Sequence, residues 1–322
     1  MHSFLDPAIL FFVLGMAAGA MKSNLEIPPA VSRFLSLYLL MALGLKGGFA
    51  LSASGLTAEV AISLGAAVTL AVVVPLLSYL LLRRWLNGYD AAALAATYGS
   101  VSAVTFITAL QALDDRGLVY GGHMAAAMAL MESPAIVIAV VLANLTRQQQ
   151  PSTVRSSDAS KLGKVLHESL TDGAQILLMG AMLVGLLATP SGQAAIQPFS
   201  VDLFKGMLAF FLLDMGLLTA RNLQSLRGRP IWLLGYGITG PLVHAGLALA
   251  LAAALRLSPG NGALLMVLAA SASYIAVPAV LRQAIPEASP SLYFGMSLGL
   301  TFPFNILFGI PLYIAVAGHV LS

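Results

Sequence analysis

Cysteine is absent from this chain of 322 residues, which excludes disulfides, thiol nucleophiles and cysteine-ligated metals. Charge is almost as scarce. Asp, Glu, Lys and Arg make up 9% of the residues, where a soluble domain carries about 25%. The excess of 16 Lys and Arg over 13 Asp and Glu is small and dispersed, which argues against a nucleic-acid partner. Apolar residues fill the space that charge leaves: 59% of the chain is hydrophobic and its mean hydropathy is +0.90. The apolar stretches are continuous rather than alternating, so a membrane β-barrel is excluded. What remains is an all-α polytopic membrane protein, whose backbone satisfies its own hydrogen bonds inside lipid.

A spanning helix needs about 20 apolar residues, fewer where it is short or packed inside protein. Ten stretches qualify, at about 7–22, 28–50, 58–82, 89–113, 121–146, 172–190, 201–222, 230–255, 261–284 and 292–319. The first lacks a basic region before it and carries Asp6 instead, so it is expected as a span and not as a cleaved signal. With the N-terminus outside, the cytoplasmic ends hold twelve Lys and Arg, and the outer ends hold only Lys46, Arg116, Lys205 and Arg256. That positive-inside bias predicts a multi-pass membrane protein with both termini outside.

The only long polar segment runs from Arg147 to Asp172 and reads as a cytoplasmic linker with one short interfacial helix. It divides the chain into a first five-helix repeat over 1–146, the linker over 147–171 and a second repeat over 172–322. The halves match at nearly constant offset: Gly44 with Gly216, Pro75 with Pro241, Ser100 and Ser102 with Ser271 and Ser273, Pro134 with Pro303. Five spans are an odd number, so the second half inserts upside down. An inverted repeat of this kind is the architecture of secondary transporters.

Two polar breaks interrupt apolar spans at matched places, Gly99-Ser100-Val101-Ser102-Ala103 and Ala270-Ser271-Ala272-Ser273-Tyr274. The fourth and ninth helices are therefore expected to be discontinuous and to cross at the midplane. Serine is a preferred N-cap, so a second half-helix can start at Ser102 and another after Ser273, with Pro278 in its early turns. Their free N–H groups and positive dipole ends form a ready anion site. The carbonyls that end the first half-helices are hard ligands for a cation.

Glu132 lies mid-span in Met131-Glu132-Ser133-Pro134 and reads as a cation ligand or as a buried residue shaping its helix. Asn305 reads as a cation ligand or a helix–helix hydrogen bond. Lys46 is expected to snorkel, Asp214 to reach water or pair with Arg221, and His123 and His244 to be structural. An intramembrane serine hydrolase using one of these histidines is disfavoured by the duplicated motif, since catalysis needs one nucleophile.

Residues 98–106, Met131-Glu132-Ser133-Pro134-Ala135 and residues 271–279 together resemble the sodium-dependent bicarbonate transporter family, and the resemblance runs over the whole chain. It implies a ten-helix inverted-repeat fold with core and gate domains, sodium-driven symport of bicarbonate into the cell, a homotrimer in lipid, and control by a PII-like cytoplasmic regulator. It implies no enzyme activity and no cofactor beyond sodium as coupling ion. Carried over by motif, Ser100, Val101, Ser102, Ser271, Ala272 and Ser273 hold bicarbonate. Gly99, Thr105, Glu132, Ser133 and Asn305 are the sodium candidates. The alternatives are a sodium-coupled symporter of another small anion and a sodium/proton antiporter.

Overall fold

Proline at the first turn starts several helices, where its missing N–H and fixed φ cost nothing. The computed structural model describes residues 6–55, 57–148, 171, 173–223, 226 and 228–322, and among them it is all-helical. Helix α1 (Pro7–Ala20) is capped by Asp6, whose carboxylate accepts from the Ala8 N–H at 2.8 Å. Then come α2 (Pro29–Ser54), α3 (Ala58–Leu82), α4 (Gly88–Gly99), α5 (Ala103–Asp114) and α6 (Met124–Gln148). After the linker follow α7 (Gly173–Leu187), α8 (Pro190–Gln197), α9 (Phe204–Leu223), α10 (Ile231–Ala254), α11 (Pro259–Ala270), α12 (Ala276–Ala284) and the long α13 (Pro290–Val320). Apart from Arg147, Gln148 and Thr171, the linker expected over 147–171 lies outside the described residues.

Among the described residues, seven helical stretches are long and apolar enough to cross a membrane, and three more apolar helices are shorter: Pro7–Ala20, Gly173–Leu187 and Pro259–Ala270. Eight of the expected spans coincide with these elements to within a few residues; the ninth, expected over 261–284 with a break, is divided between Pro259–Ala270 and Ala276–Ala284, of which only the first is among them. The span expected over 201–222 is the end of a helical stretch that begins at Pro190 and passes through a π turn at Pro198–Asp202. Two further π segments, Gly295–Thr301 and Asn305–Gly309, flank Pro303 in α13. Wide turns of this kind occur where a helix accommodates a functional or strained position.

The helices pack in two groups. In one, α1 lies along α9 and α2 along α7, more extensively than any other pairs. Glycine allows both approaches. A Cβ on Gly216 would meet the Phe12 carbonyl and the Gly15 Cα, and a Cβ on Gly185 would meet the Leu45 carbonyl and the Gly48 Cα. Backbones in contact through small residues are the usual means of helix association in lipid. Gly216 thus occupies, against Gly15, the place that Gly48 occupies against Gly185, one helical turn from the Gly44 expected from the sequence. We predict that Gly216→Ala costs roughly 1–3 kcal/mol by overpacking, read as a lowered unfolding temperature in detergent; an unchanged temperature would show that the pair can separate freely.

The second group holds α3 to α6 and α10 to α13. Here α4 is wedged against α3 and α6, and α11 against α10 and α13. Both α3 and α10 contain an internal proline, Pro75 and Pro241. Pro75 presses on the end of α4, because a Cβ on Gly99 would meet its ring.

Candidate functional site

The helical path breaks twice inside the second group, and both breaks are buried. Between α4 and α5, Ser100 is extended with φ −95° and ψ −179°, and Ser102 is the N-cap of α5 with φ −105° and ψ 110°. The Ser102 Oγ accepts from the Thr105 N–H at 3.3 Å and from the Thr105 hydroxyl at 2.9 Å. Between α11 and α12, Ser271 is extended and its hydroxyl donates to the Leu268 carbonyl at 2.9 Å. The Ser273 Oγ accepts from the Val277 N–H at 3.3 Å, so Ser273 closes the first turn of α12 although Ile275 stands at its formal cap.

The breaks bind each other. The Ser102 N–H donates to the Ser271 Oγ at 3.0 Å, and the Ser273 N–H donates to the Thr97 carbonyl at 2.8 Å. Two helix N-termini are thereby brought to one volume. These bonds also correct an expectation, because the N–H groups of Ser102 and Ser273 are not free for a ligand. The donors left open are those of the next residues, Ala103 and Val104 in α5 and residues 274–276 at the start of α12, which lie too early in the helix for an intrahelical acceptor. Val101 and Ala272 are buried between the tips at 5% and 3% exposure. Ser100, buried to 1%, leaves its Oγ without a partner. A buried hydroxyl in that state costs free energy unless a ligand or water completes it.

Of the cation candidates, Gly99, Thr105 and Asn305 border the crossing. The Asn305 amide donates to the Ala270 carbonyl at 2.8 Å and its Oδ1 accepts from Tyr313 at 3.0 Å, so Asn305 secures the end of α11. The carbonyls of Thr97 and Ala270 each accept a bond already, which leaves them one lone pair for a cation. Glu132 and Ser133 are held from the other group: the Gln175 amide of α7 reaches Glu132 at 2.8 Å and Ser133 at 3.5 Å. His244 stands 3.3 Å from the Ser78 hydroxyl, not from a serine of either break.

A cleft of about 790 Å3 opens between the two groups and reaches the start of α12 at Tyr274 and Ile275. Exposed Glu26, Arg33, Arg221 and Arg282 surround its mouth, while buried Asp214 and Tyr274 lie inside. At the opposite ends of α2 and α9 the same two groups are tied by ion pairs. Lys46 meets Asp114 at 3.0 Å and Lys205 meets Asp115 at 3.0 Å, while Lys205 also meets Asp6, within its own group, at 3.0 Å. Lys46 is therefore paired and does not merely snorkel. Burial raises the Asp115 carboxyl, but the Lys205 ammonium and the Gln111 amide outweigh it and hold its pKa below the ordinary value. Sequence reading missed this cluster, although its signal was present: two of the four outer basic residues and the adjacent Asp114-Asp115 fall on the same side.

A search of curated proteins returns no significant match. A family model, described as the Na+-dependent bicarbonate transporter superfamily, matches residues 7–318, nearly the whole chain. A polytopic helical membrane protein matched over that length belongs to the Na+-dependent bicarbonate transporter superfamily, and so is a transporter and not an enzyme.

Proposed function

We propose that this chain is a secondary transporter that uses the sodium gradient to import bicarbonate, with the anion held between the tips of α5 and α12. The observation that carries the reading is the pair of reciprocal bonds, Ser102 N–H to Ser271 Oγ and Ser273 N–H to the Thr97 carbonyl, which joins the two tips. Bicarbonate is a small planar monoanion with three oxygens, suited to two facing helix N-termini and the hydroxyls of Ser100, Ser102 and Ser273, while the Ser271 hydroxyl, engaged by the Leu268 carbonyl and the Ser102 N–H, shapes the site from beside it. Gly99, Thr105, Glu132, Ser133 and Asn305 remain the candidates for the sodium shell, and a cation at the carbonyl ends offsets the desolvation of the anion beside it.

In this reading α1, α2, α7 and α9 form a gate, and the remaining helices a core that moves against it. The reciprocal glycine pairs, the matched internal prolines and the matched breaks support an inverted repeat of ten spans. The cleft at one end and the ion pairs at the other describe a form open on the arginine-rich side, which the positive-inside bias assigns to the cytoplasm. The family resemblance adds a bacterial inner-membrane location with both termini outside, a homotrimer, and a PII-like regulator at the linker. Deleting 148–160 is expected to leave transport largely intact.

The test is uptake of labelled inorganic carbon into proteoliposomes. Uptake is expected to follow an inward sodium gradient and to persist in the presence of excess acetate or pyruvate. Competition by those carboxylates would favour another small anion as substrate. Sodium efflux driven by a pH gradient, without carbon uptake, would make the protein an antiporter.

A further inference from the structure

The cleft contains a carboxylate that nothing above employs. Asp214 sits on α9, on the gate side, with 5% exposure. Its Oδ2 is buried without a hydrogen-bond partner, and no ion pair reaches it among the described residues. Arg221, the sequence-expected partner, lies two turns along α9 at the exposed mouth and acts on Asp214 only through space. The groups near Asp214 are oxygens and sulfur. Ser32 and Ser36 of α2 line the same cleft as Asp214, and Met215 follows it in sequence and also lines the cleft.

We propose that Asp214 and Ser32 form a sodium site on the gate, distinct from the crossing of the breaks and filled when the cleft is open on this side. An ionised carboxylate that is buried without a counter-charge is strongly unfavourable. A small hard cation, bound by the carboxylate and hydroxyl oxygens, removes that penalty. The same carboxylate also faces the substrate path. Tyr274, the residue after the second break, donates to the Met215 sulfur at 3.6 Å and lines the same cleft as Asp214. An anion entering past Arg33, Arg221 and Arg282 toward Tyr274 meets the negative field of Asp214 unless a cation has neutralised it. The site thus links anion entry to sodium occupancy by a charge effect, and it does so on the face that moves relative to the core.

The inference rests on the sodium-driven reading, and its test separates the two. Labelled bicarbonate uptake is measured against sodium concentration for wild type, Asp214→Asn and Asp214→Glu. Thermal stabilisation of the detergent-solubilised proteins by sodium is measured alongside, with choline as the control cation. Asp214→Asn is expected to raise the half-saturating sodium concentration roughly tenfold or more and to lose part of the sodium-induced stabilisation, with Asp214→Glu in between. Should the asparagine variant fail to fold, Ser32→Ala is expected to move the sodium curve in the same direction by a smaller factor. A sodium curve and thermal shift identical to wild type would overturn the proposal. So would a variant whose pH dependence alone changed, which would make Asp214 a proton site. Wild-type uptake indifferent to sodium would sink the transport reading instead, and the thermal shift would then decide Asp214 by itself.

Discussion

Replacing Ser102 or Ser273 by alanine is expected to lower the apparent affinity for bicarbonate roughly ten- to hundredfold, because in the proposed site each change removes a contact to a buried anion worth about 1.5–3 kcal/mol. Each serine also has a structural task that must be separated from binding. Ser102 caps α5 through the Thr105 N–H and Ser273 closes the first turn of α12 through the Val277 N–H. Loss of a cap alone costs about 1 kcal/mol of stability, so both variants are expected to unfold at a somewhat lower temperature. Ser100→Ala provides the control. Its hydroxyl has no partner to lose, so the change leaves stability level or slightly improved while affinity falls as for the other two. Concentration dependence of labelled uptake gives the affinities, and detergent unfolding gives the stabilities. Wild-type affinity in all three variants would reduce these serines to packing residues.

Joining the proposed gate to the proposed core at the ion-pair end is expected to stop transport. A cysteine-free chain allows a clean experiment: Lys46→Cys with Asp114→Cys, bridged by a short bis-maleimide, is expected to bind bicarbonate yet lose net uptake almost completely. Neutralising a single charge of the cluster should do far less. The side chains of the two pairs that join the groups are 27–41% exposed, and partly exposed pairs of this kind contribute about 0.2–1 kcal/mol each. The cluster therefore biases the resting form without locking it. Undiminished uptake by the bridged protein would mean that the two groups do not separate there, and the proposed motion would be lost.

Much of this arrangement was legible in the sequence. Hydropathy located the helical stretches because lipid tolerates no long polar segment inside a span. Paired serines located both breaks because serine caps a helix start, with Gly99 weakening the helix at the first and Pro278 suiting the early turns of the next half-helix at the second. Their mutual hydrogen bonds were not legible, since Ser102 and Ser271 are 169 positions apart and only the fold brings them together. For the same reason the open donors fall at Ala103, Val104 and residues 274–276, not at the serines themselves. Lys46 and Asp214 show the limit on charged residues most clearly. Each reads in isolation as a charge seeking water, and the packing of α5 and α2 against their helices gives one a partner and leaves the other without.

The most direct measurement is a density map of the protein in lipid, prepared in sodium bicarbonate and again in chloride. The account predicts that the chain breaks at residues 100–102 and 271–275, with bicarbonate-dependent density between the tips of α5 and α12 and beside Ser100. Continuous helices through both stretches, or tips with the same empty volume in both preparations, would contradict it.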